Sequence, residues 1–291
     1  MLYDVSLEIT YDYASSAYSG RHALRLLPAT IPGEQRLLSS SIRLSPGPTE
    51  RRDRKDFFEN AVTDVIYRRA HSELTFRLAA RIDRTATPEE LDISPPLPVL
   101  ARELANVQSL EPDEPVHFLT ASPRLPLDPA FAVYAQEHVN SGSTALSAVE
   151  TIGKALHEDL EFDADATSVD TPALEAFERR HGVCQDFSHI MIACLRSIGI
   201  PAGYVSGFLR TIPPEGQPRL EGADAMHAWV RAWCGIEVGW VEYDPTNALR
   251  VGQDHIVVAR GRDYGDAAPV KGVLHTAGTQ TTGHKVDVIP R

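Results

Sequence analysis

The sequence has little cysteine, a deficit of positive charge and no long apolar run. Lys and Arg total 28 against 40 Asp and Glu, which gives a formal net charge of -12. A nucleic-acid partner requires a basic face for its phosphates, so this balance argues against one, and it equally disfavours an anionic membrane surface. No segment approaches the ~18 uninterrupted apolar residues of a membrane span. The first residues also lack the basic and apolar segments of a secretory signal.

The three cysteines are Cys184, Cys194 and Cys234, an odd number without a C-x-x-C pair. This pattern is not that of a disulfide framework and predicts a reducing compartment, so we expect a cytoplasmic protein. Two further motif classes are missing. The chain has neither a P-loop nor a G-x-G-x-x-G fingerprint, and "GYVSG" is not the G-x-S-x-G elbow of a serine hydrolase. Nucleotide binding and serine hydrolysis are therefore disfavoured.

The pattern of apolar residues divides the chain into three parts. Residues 1–86 read as a β-rich domain, because apolar side chains alternate with polar ones from Tyr3 to Tyr11 and short strand-like runs follow. Residues 87–129 are proline-rich and are predicted to form a linker with short helical pieces. Residues 130–291 combine amphipathic helices with later strands and form the predicted catalytic domain. The predicted fold class is α+β, with an antiparallel β-sandwich-like domain ahead of the core.

Cys184 stands at the predicted start of a helix. Apolar residues follow it at offsets of 3, 6, 7, 10, 11 and 14, which trace one helical face, and Gly199 and Pro201 supply the stop. Free backbone N–H groups and the helix dipole at this end favour a thiolate, the form of cysteine that attacks. A buried, unreactive thiol is the alternative for Cys184, and it is the preferred interpretation for Cys194 and Cys234.

His227 and Asp244 are the predicted base and orienting carboxylate. A two-residue turn at Gly235-Ile236 would place His227 directly opposite Asp244 on neighbouring strands, with Cβ atoms roughly 4.5–5.5 Å apart. A longer loop through Gly239 would shift this register. Taken singly, His227 is also compatible with a half-buried strand histidine, and Asp244 with a turn former before Pro245.

Other polar residues near Cys184 have simpler interpretations. Asp186 falls in the first turn of the helix, where a carboxylate caps free N–H groups. Asp263 and Tyr264 are weaker candidates for lining a cleft. A zinc site from His181, Cys184, Asp186 and His189 has poor spacing, because Cys184 and His189 point about 140° apart on a helix. We expect no metal and no cofactor.

Three segments together resemble the Cys, His and Asp motifs of the transglutaminase-like superfamily: "HGVCQDFSH", "MHAWV" and "GWVEYDPTN". Their order and spacing fit, and "ARGRDYGDAAPVKGV" and the early strands resemble further parts of the bacterial transglutaminase-like cysteine proteases. The resemblance covers most of the chain. It implies a papain-like α/β core behind an N-terminal β-rich domain.

Residue by residue, the resemblance implies Cys184 as nucleophile, His227 as general base and acid, and Asp244 as orienter. The expected chemistry is acyl transfer from a peptide or protein amide through a Cys184 thioester. We expect water to be the usual acceptor, as in a cysteine protease or amidase. An amine-accepting transglutaminase is one alternative, and a non-catalytic peptide-binding module of the same fold is another.

Overall fold

The computed structural model describes residues 1–85, 91–140, 142–164, 166–211, 222 and 224–291. The fold is mixed α+β, as predicted. The strands are β1 (Leu2–Leu24), β2 (Gln35–Ser45), β3 (Glu50–Lys55), β4 (Ala61–Tyr67), β5 (His71–Arg84), β6 (Glu161–Phe162), β7 (His181–Gly182), β8 (Ala202–Leu209), β9 (Ala225–Trp233), β10 (Trp240–Asp244), β11 (Leu249–Arg250), β12 (His255–Gly261), β13 (Val270–His275) and β14 (Gln280–Pro290).

Most of the helices lie in the middle part of the sequence. They are α1 (Leu97–Ala105), a 3-10 turn (Pro115–Phe118), α2 (Pro129–His138), α3 (Ala145–Asp159), α4 (Ala173–Arg179), α5 (Cys184–Ser197) and α6 (Tyr264–Ala267). Within the described ranges, none of them combines the length and the apolar character needed to cross a membrane.

The N-terminal sheet is organised around the long strand β1. Its alternating pattern buries Tyr3, Val5, Leu7 and Ile9 on one face, as the period of two in the sequence predicts. The main path of this antiparallel sheet runs β2-β5-β1-β4-β3. The first half of β1 pairs with β5 and β14 and the second half with β4 and β13, on either side of an irregularity after Asp12.

The C-terminal segment returns to this N-terminal sheet. Strands β13 and β14 both pair with β1, although the sequence analysis placed all of residues 130–291 in the catalytic domain. The reason is that a period of two identifies a strand but carries no information about its partner. The first and last segments of the chain therefore share one sheet. The predicted domain boundaries stay predictions.

The second sheet supports the predicted helix of Cys184. Its strands are antiparallel in the order β11-β10-β9-β8-β12. Helix α5 packs against β9 and β8, and α2, α3 and α4 also contact it. Every residue from Gln185 to Arg196 is buried. Because it is enclosed by sheet and helices, α5 is a rigid support for the residue at its start.

Candidate active site

Helix α5 begins at Cys184, as predicted. The Asp186 carboxylate accepts hydrogen bonds from the Val183 backbone N–H at 2.8 Å and from the Thr167 hydroxyl at 2.6 Å. The capping role predicted for Asp186 is thereby confirmed. The first backbone N–H groups of a helix have no intrahelical acceptor, so they remain as donors beside the Cys184 thiol.

The three cysteines differ in accessibility. Cys184 is partly exposed, whereas Cys194 and Cys234 are fully buried. Burial raises the pKa of Cys194 and of Cys234 to about 12 in each case. Both buried thiols are therefore inert near neutral pH, and Cys184 alone of the three combines access with a position at a helix start.

The hairpin that carries His227 and Asp244 has a longer loop than predicted. Trp233 pairs with Trp240, so residues 234–239 form the loop, which Cys234 N–H closes by donating to the Gly239 carbonyl at 2.8 Å. The prediction of a two-residue turn at Gly235-Ile236 is therefore wrong. Gly235 and Gly239 both adopt positive φ, at 96° and 71°, and this conformation allows the wider loop. The register moves by two residues, which keeps every side chain on its predicted face.

His227 and Asp244 consequently meet along a diagonal. His227 Nε2 lies 2.8 Å from Asp244 Oδ2, and both side chains are buried. The same imidazole lies close enough to the Cys184 side chain for that thiol to contribute to the raised pKa of His227. Because Asp244 occupies Nε2, Nδ1 is the ring nitrogen left for the thiol. The structure thus brings all three predicted residues together in the order thiol, imidazole, carboxylate.

The environment of His227 and Asp244 shifts the pKa values of both side chains. Burial by itself would lower the pKa of His227, but the hydrogen bond to Asp244 and the interaction with Cys184 outweigh it and raise the pKa to about 10. Burial would raise the pKa of Asp244, yet the hydrogen bonds from His227 and His255 hold it well below its ordinary value. Asp244 is therefore an anion, and the arrangement favours imidazolium beside it.

Asp244 accepts five hydrogen bonds, and one of them comes from a second histidine. Oδ2 receives His227 Nε2–H, His255 Nε2–H at 3.1 Å and the Asn247 amide at 2.7 Å. Oδ1 receives the backbone N–H groups of Thr246 at 2.9 Å and Asn247 at 3.2 Å. The turn-forming role considered for Asp244 is thus present as well, and the two roles use different oxygen atoms.

Trp229 packs against both histidines. Its ring lies edge-on to His255 with 5.1 Å between ring centres, and 6.2 Å from the ring centre of His227. The indole N–H donates to Glu242 at 2.7 Å, which fixes the ring in its plane. A side chain at Gly207 would overlap this ring, so the glycine in β8 makes room for it. Trp229 therefore packs against both imidazole rings and restricts their movement.

Asp263 and Tyr264 have structural partners. Asp263 is buried and accepts hydrogen bonds from the backbone N–H of Arg124 and of Gly265, at 2.9 and 2.8 Å, so it caps α6 rather than facing a cleft. The Tyr264 backbone N–H donates to His189 Nε2 at 3.1 Å. His189 therefore accepts through Nε2 and is neutral in this contact, and burial lowers its pKa to about 4.

Among the described residues, a possible metal-ligating group is His227, Asp244 and His255, whose ligand atoms lie within 4.8 Å of one another. The separations of 2.8 and 3.1 Å between the imidazole nitrogens and Oδ2 are those of hydrogen bonds, and Asn247 occupies the same oxygen. We interpret the group as a hydrogen-bonded network. The zinc set considered from His181, Cys184, Asp186 and His189 does not form such a group.

Sequence reasoning missed His255, Asn247 and Trp229. Asn247 follows Asp244 by three residues, within the turn that the sequence did indicate. His255 begins a strand that pairs with β8 on the side away from β9, so its approach to Asp244 depends on the sheet order. Its signal in the sequence, a histidine opening the apolar run "HIVVA", is too common to have identified it.

Comparison with known families agrees with this geometry. The model described as the transglutaminase-like superfamily core matches residues 132–245, which include Cys184, His227 and Asp244. The model described as the bacterial transglutaminase-like N-terminal region matches residues 3–83.

Whole-length relatives extend over both regions. The uncharacterized protein Rv2569c of Mycobacterium tuberculosis is 31% identical over 99% of this chain and 90% of its own length. The uncharacterized protein ML0607 of Mycobacterium leprae is 30% identical over 92% of this chain and 91% of its own. The crystal structure of a candidate cysteine protease from Cytophaga hutchinsonii shares the fold, with a TM-score of 0.75 at 20% identity over 99% of this chain and 90% of that one. The chain therefore belongs to the transglutaminase-like superfamily and carries the bacterial transglutaminase-like N-terminal region ahead of the core.

Proposed function

We propose that the protein transfers an acyl group from a peptide or protein amide through a thioester on Cys184, with water as the usual acceptor. The observation that carries the proposal is the position of His227. It lies between a partly exposed thiol at a helix start and a buried carboxylate that accepts its Nε2–H at 2.8 Å. This is the arrangement of nucleophile, base and orienting group that covalent acyl transfer requires.

The first half-reaction forms the thioester. The Cys184 thiolate attacks the amide carbonyl carbon, and the C=O electrons move onto oxygen. Backbone N–H groups at the start of α5 stabilise that oxyanion. When the tetrahedral intermediate collapses, the C–N bond breaks and the His227 imidazolium gives its proton to the departing amine.

The second half-reaction releases the acyl group. Neutral His227 removes a proton from water as the water oxygen attacks the thioester carbonyl. The C–S bond then breaks, a carboxylic acid leaves, and Cys184 returns as a thiolate beside imidazolium. Asp244 keeps the imidazole in one orientation in both halves and does not itself take the proton.

Hydrolysis makes the smaller demand on the protein. Water needs no binding site of its own, whereas an amine acceptor must be bound and water held back from the thioester. A primary amine attacking the same thioester would give the alternative, transamidation, with the same residues in the same roles. As part of the proposal we keep a cytoplasmic location, which agrees with three unpaired cysteines.

The test incubates the protein with a defined peptide mixture, with and without a primary amine, and identifies products by mass spectrometry. We expect new carboxylic acids and a transient acyl adduct on the Cys184 peptide, both missing in Cys184→Ala. Amine adducts in place of acids would replace hydrolysis by transamidation. No adduct and no product from any peptide in the mixture, with the protein folded, would support the non-catalytic module instead.

A further inference from the structure

The role of Asp244 rests on a partner that lies outside the three motif residues. His255 begins β12, on the far edge of the second sheet, and its side chain is buried. Its Nε2–H points at Asp244 Oδ2, the same oxygen that receives His227. Two histidines from separate strands therefore converge on one carboxylate oxygen.

Building on the proposed function, we infer that His255 is a positioning residue for the reaction: it holds the Asp244 carboxylate in the orientation that His227 needs. The two imidazole N–H groups and the Asn247 amide approach Oδ2 together. If His255 is removed, Asp244 Oδ2 loses one of the hydrogen-bond donors that keep the carboxylate from rotating. The carboxylate can then rotate away from His227 and lower the fraction of correctly oriented imidazole.

The tautomer of His255 follows from its surroundings. Nδ1 is buried and has no hydrogen-bonding partner among the described residues. A proton on Nδ1 would be an unsatisfied buried donor, which is costly, so the donor that His255 offers is Nε2–H. His255 thus gives Asp244 a hydrogen-bond donor from outside the three motif residues.

A ring contact and the hydrogen bonds of neighbouring residues hold His255 in place. Trp229 packs edge-on to its ring, at 5.1 Å between centres. Its neighbours in the sequence form hydrogen bonds with the N-terminal domain. The Tyr3 hydroxyl donates to the Asp254 carboxylate at 3.0 Å. The Gln35 side-chain amide donates to the Val257 carbonyl at 2.8 Å and accepts from the Val257 N–H at 2.9 Å. Gln35 is itself buried. Through β12, the N-terminal domain therefore fixes the residue that orients the carboxylate.

Two amide variants test the inference with matched chemistry. The amide nitrogen of glutamine occupies the place of imidazole Nε2, whereas that of asparagine falls near Nδ1 and cannot reach Oδ2. We expect His255→Gln to stay within roughly threefold of the parent, while His255→Asn and His255→Leu lose roughly 10- to 100-fold, the range for a hydrogen bond to a charged group. The loss should fall on kcat and leave KM unchanged, since His255 does not touch substrate.

The assay has an arm that needs no substrate. Iodoacetamide modification of Cys184 at neutral pH, read by peptide mass spectrometry, reports the thiolate–imidazolium pair directly. We expect the same ranking of variants in this arm. Thermal melts of all three variants confirm that each is folded, and the Gln–Asn comparison remains informative if the leucine variant is not.

The outcomes separate this inference from the proposed function. Equal rates for the Gln and Asn variants in both arms would overturn the positioning role and leave acyl transfer standing. No turnover of any peptide, with alkylation that depends on His255, would remove the proposed function and keep the positioning of the thiol pair. If a chelator abolished parent activity and Zn²⁺ restored it, His255 would be a metal ligand and the inference would be wrong.

Discussion

His227 and Asp244 meet across β9 and β10 without being directly opposed. In the register that pairs Tyr243 with Val230, Asp244 comes opposite Trp229, and His227 lies two residues before Trp229 in β9. Diagonal neighbours on one face are about 7–8 Å apart at Cα, a distance that an imidazole and a carboxylate span. The offset leaves Trp229 beside the pair, where it supports both His227 and His255.

Cys184→Ala should abolish thioester formation and leave the fold intact. The change removes one sulfur atom at a partly exposed helix start, so the melting temperature should shift by no more than a few degrees. Activity is measured with the peptide mixture, and stability by thermal melt. Turnover within tenfold of the parent would rule out Cys184 as the nucleophile.

Alkylation at neutral pH should be selective for Cys184, because this thiol is accessible and His227, with a pKa of about 10, stays cationic beside it. Cys194 and Cys234, buried and with pKa values of about 12, are internal controls that should react only after unfolding. In His227→Ala the rate at Cys184 should fall at neutral pH and rise with pH. Identical pH profiles for parent and variant would contradict the thiolate–imidazolium pair.

Asp244→Asn should reduce the rate by roughly 10³- to 10⁴-fold, because an amide can hold the wrong tautomer of the histidine. The asparagine retains an oxygen for the backbone N–H groups of Thr246 and Asn247, so the turn should persist. Kinetics and a thermal melt are measured together. An unchanged rate would mean that Asp244 serves only the turn.

Gly207→Ala should destabilise the protein by about 1–3 kcal/mol, the usual cost of overpacking. The added methyl would overlap the Trp229 ring and the Ile256 carbonyl, neither of which is a flexible chain end. Gly252→Ala is the matched control, because a methyl there meets nothing within 4 Å. Urea unfolding of both variants gives the two free energies. Similar values for the two alanines would show that the close approach at Gly207 is easily relieved.

His189 should make stability fall as the solution is acidified. Burial lowers its pKa to about 4, whereas an unfolded histidine titrates near 6.5, so the unfolded chain binds the extra proton. The contribution is complete above about pH 6.5 and is lost as pH falls toward 4, with a slope approaching about 1.4 kcal/mol per unit. His189→Gln keeps an acceptor for the Tyr264 N–H and does not titrate.

The measurement is urea unfolding between about pH 4 and 7 for the parent and His189→Gln. His22 has a similarly lowered pKa of about 4 through burial and is unchanged in both proteins, so its effect cancels in the difference. The parent should lose stability more steeply than the variant. Parallel curves would show that His189 accepts a proton in the folded state as easily as in the unfolded one.

The local parts of the site follow from the pattern of amino acids alone. The apolar spacing after Cys184 specifies a helix with one buried face, and a free cysteine at its start follows from the position of that face. The alternation around His227 and before Asp244 likewise specifies strands, and the same-face relation survives the register error because the period of a strand is two.

Which segments lie side by side could not be predicted from these local patterns. The return of β13 and β14 to β1, and the place of β12 beside β8, are long-range pairings whose partners leave no periodic trace in either strand. The hairpin loop also depended on two glycines at positive φ, which residue type permits but does not require. His255 contacts Asp244 at the start of β12, where Trp229 packs on its ring and Gln35 forms hydrogen bonds with the strand. Local patterns fix the conformation of a segment, whereas its neighbours are chosen by the burial of surfaces that come from the whole chain.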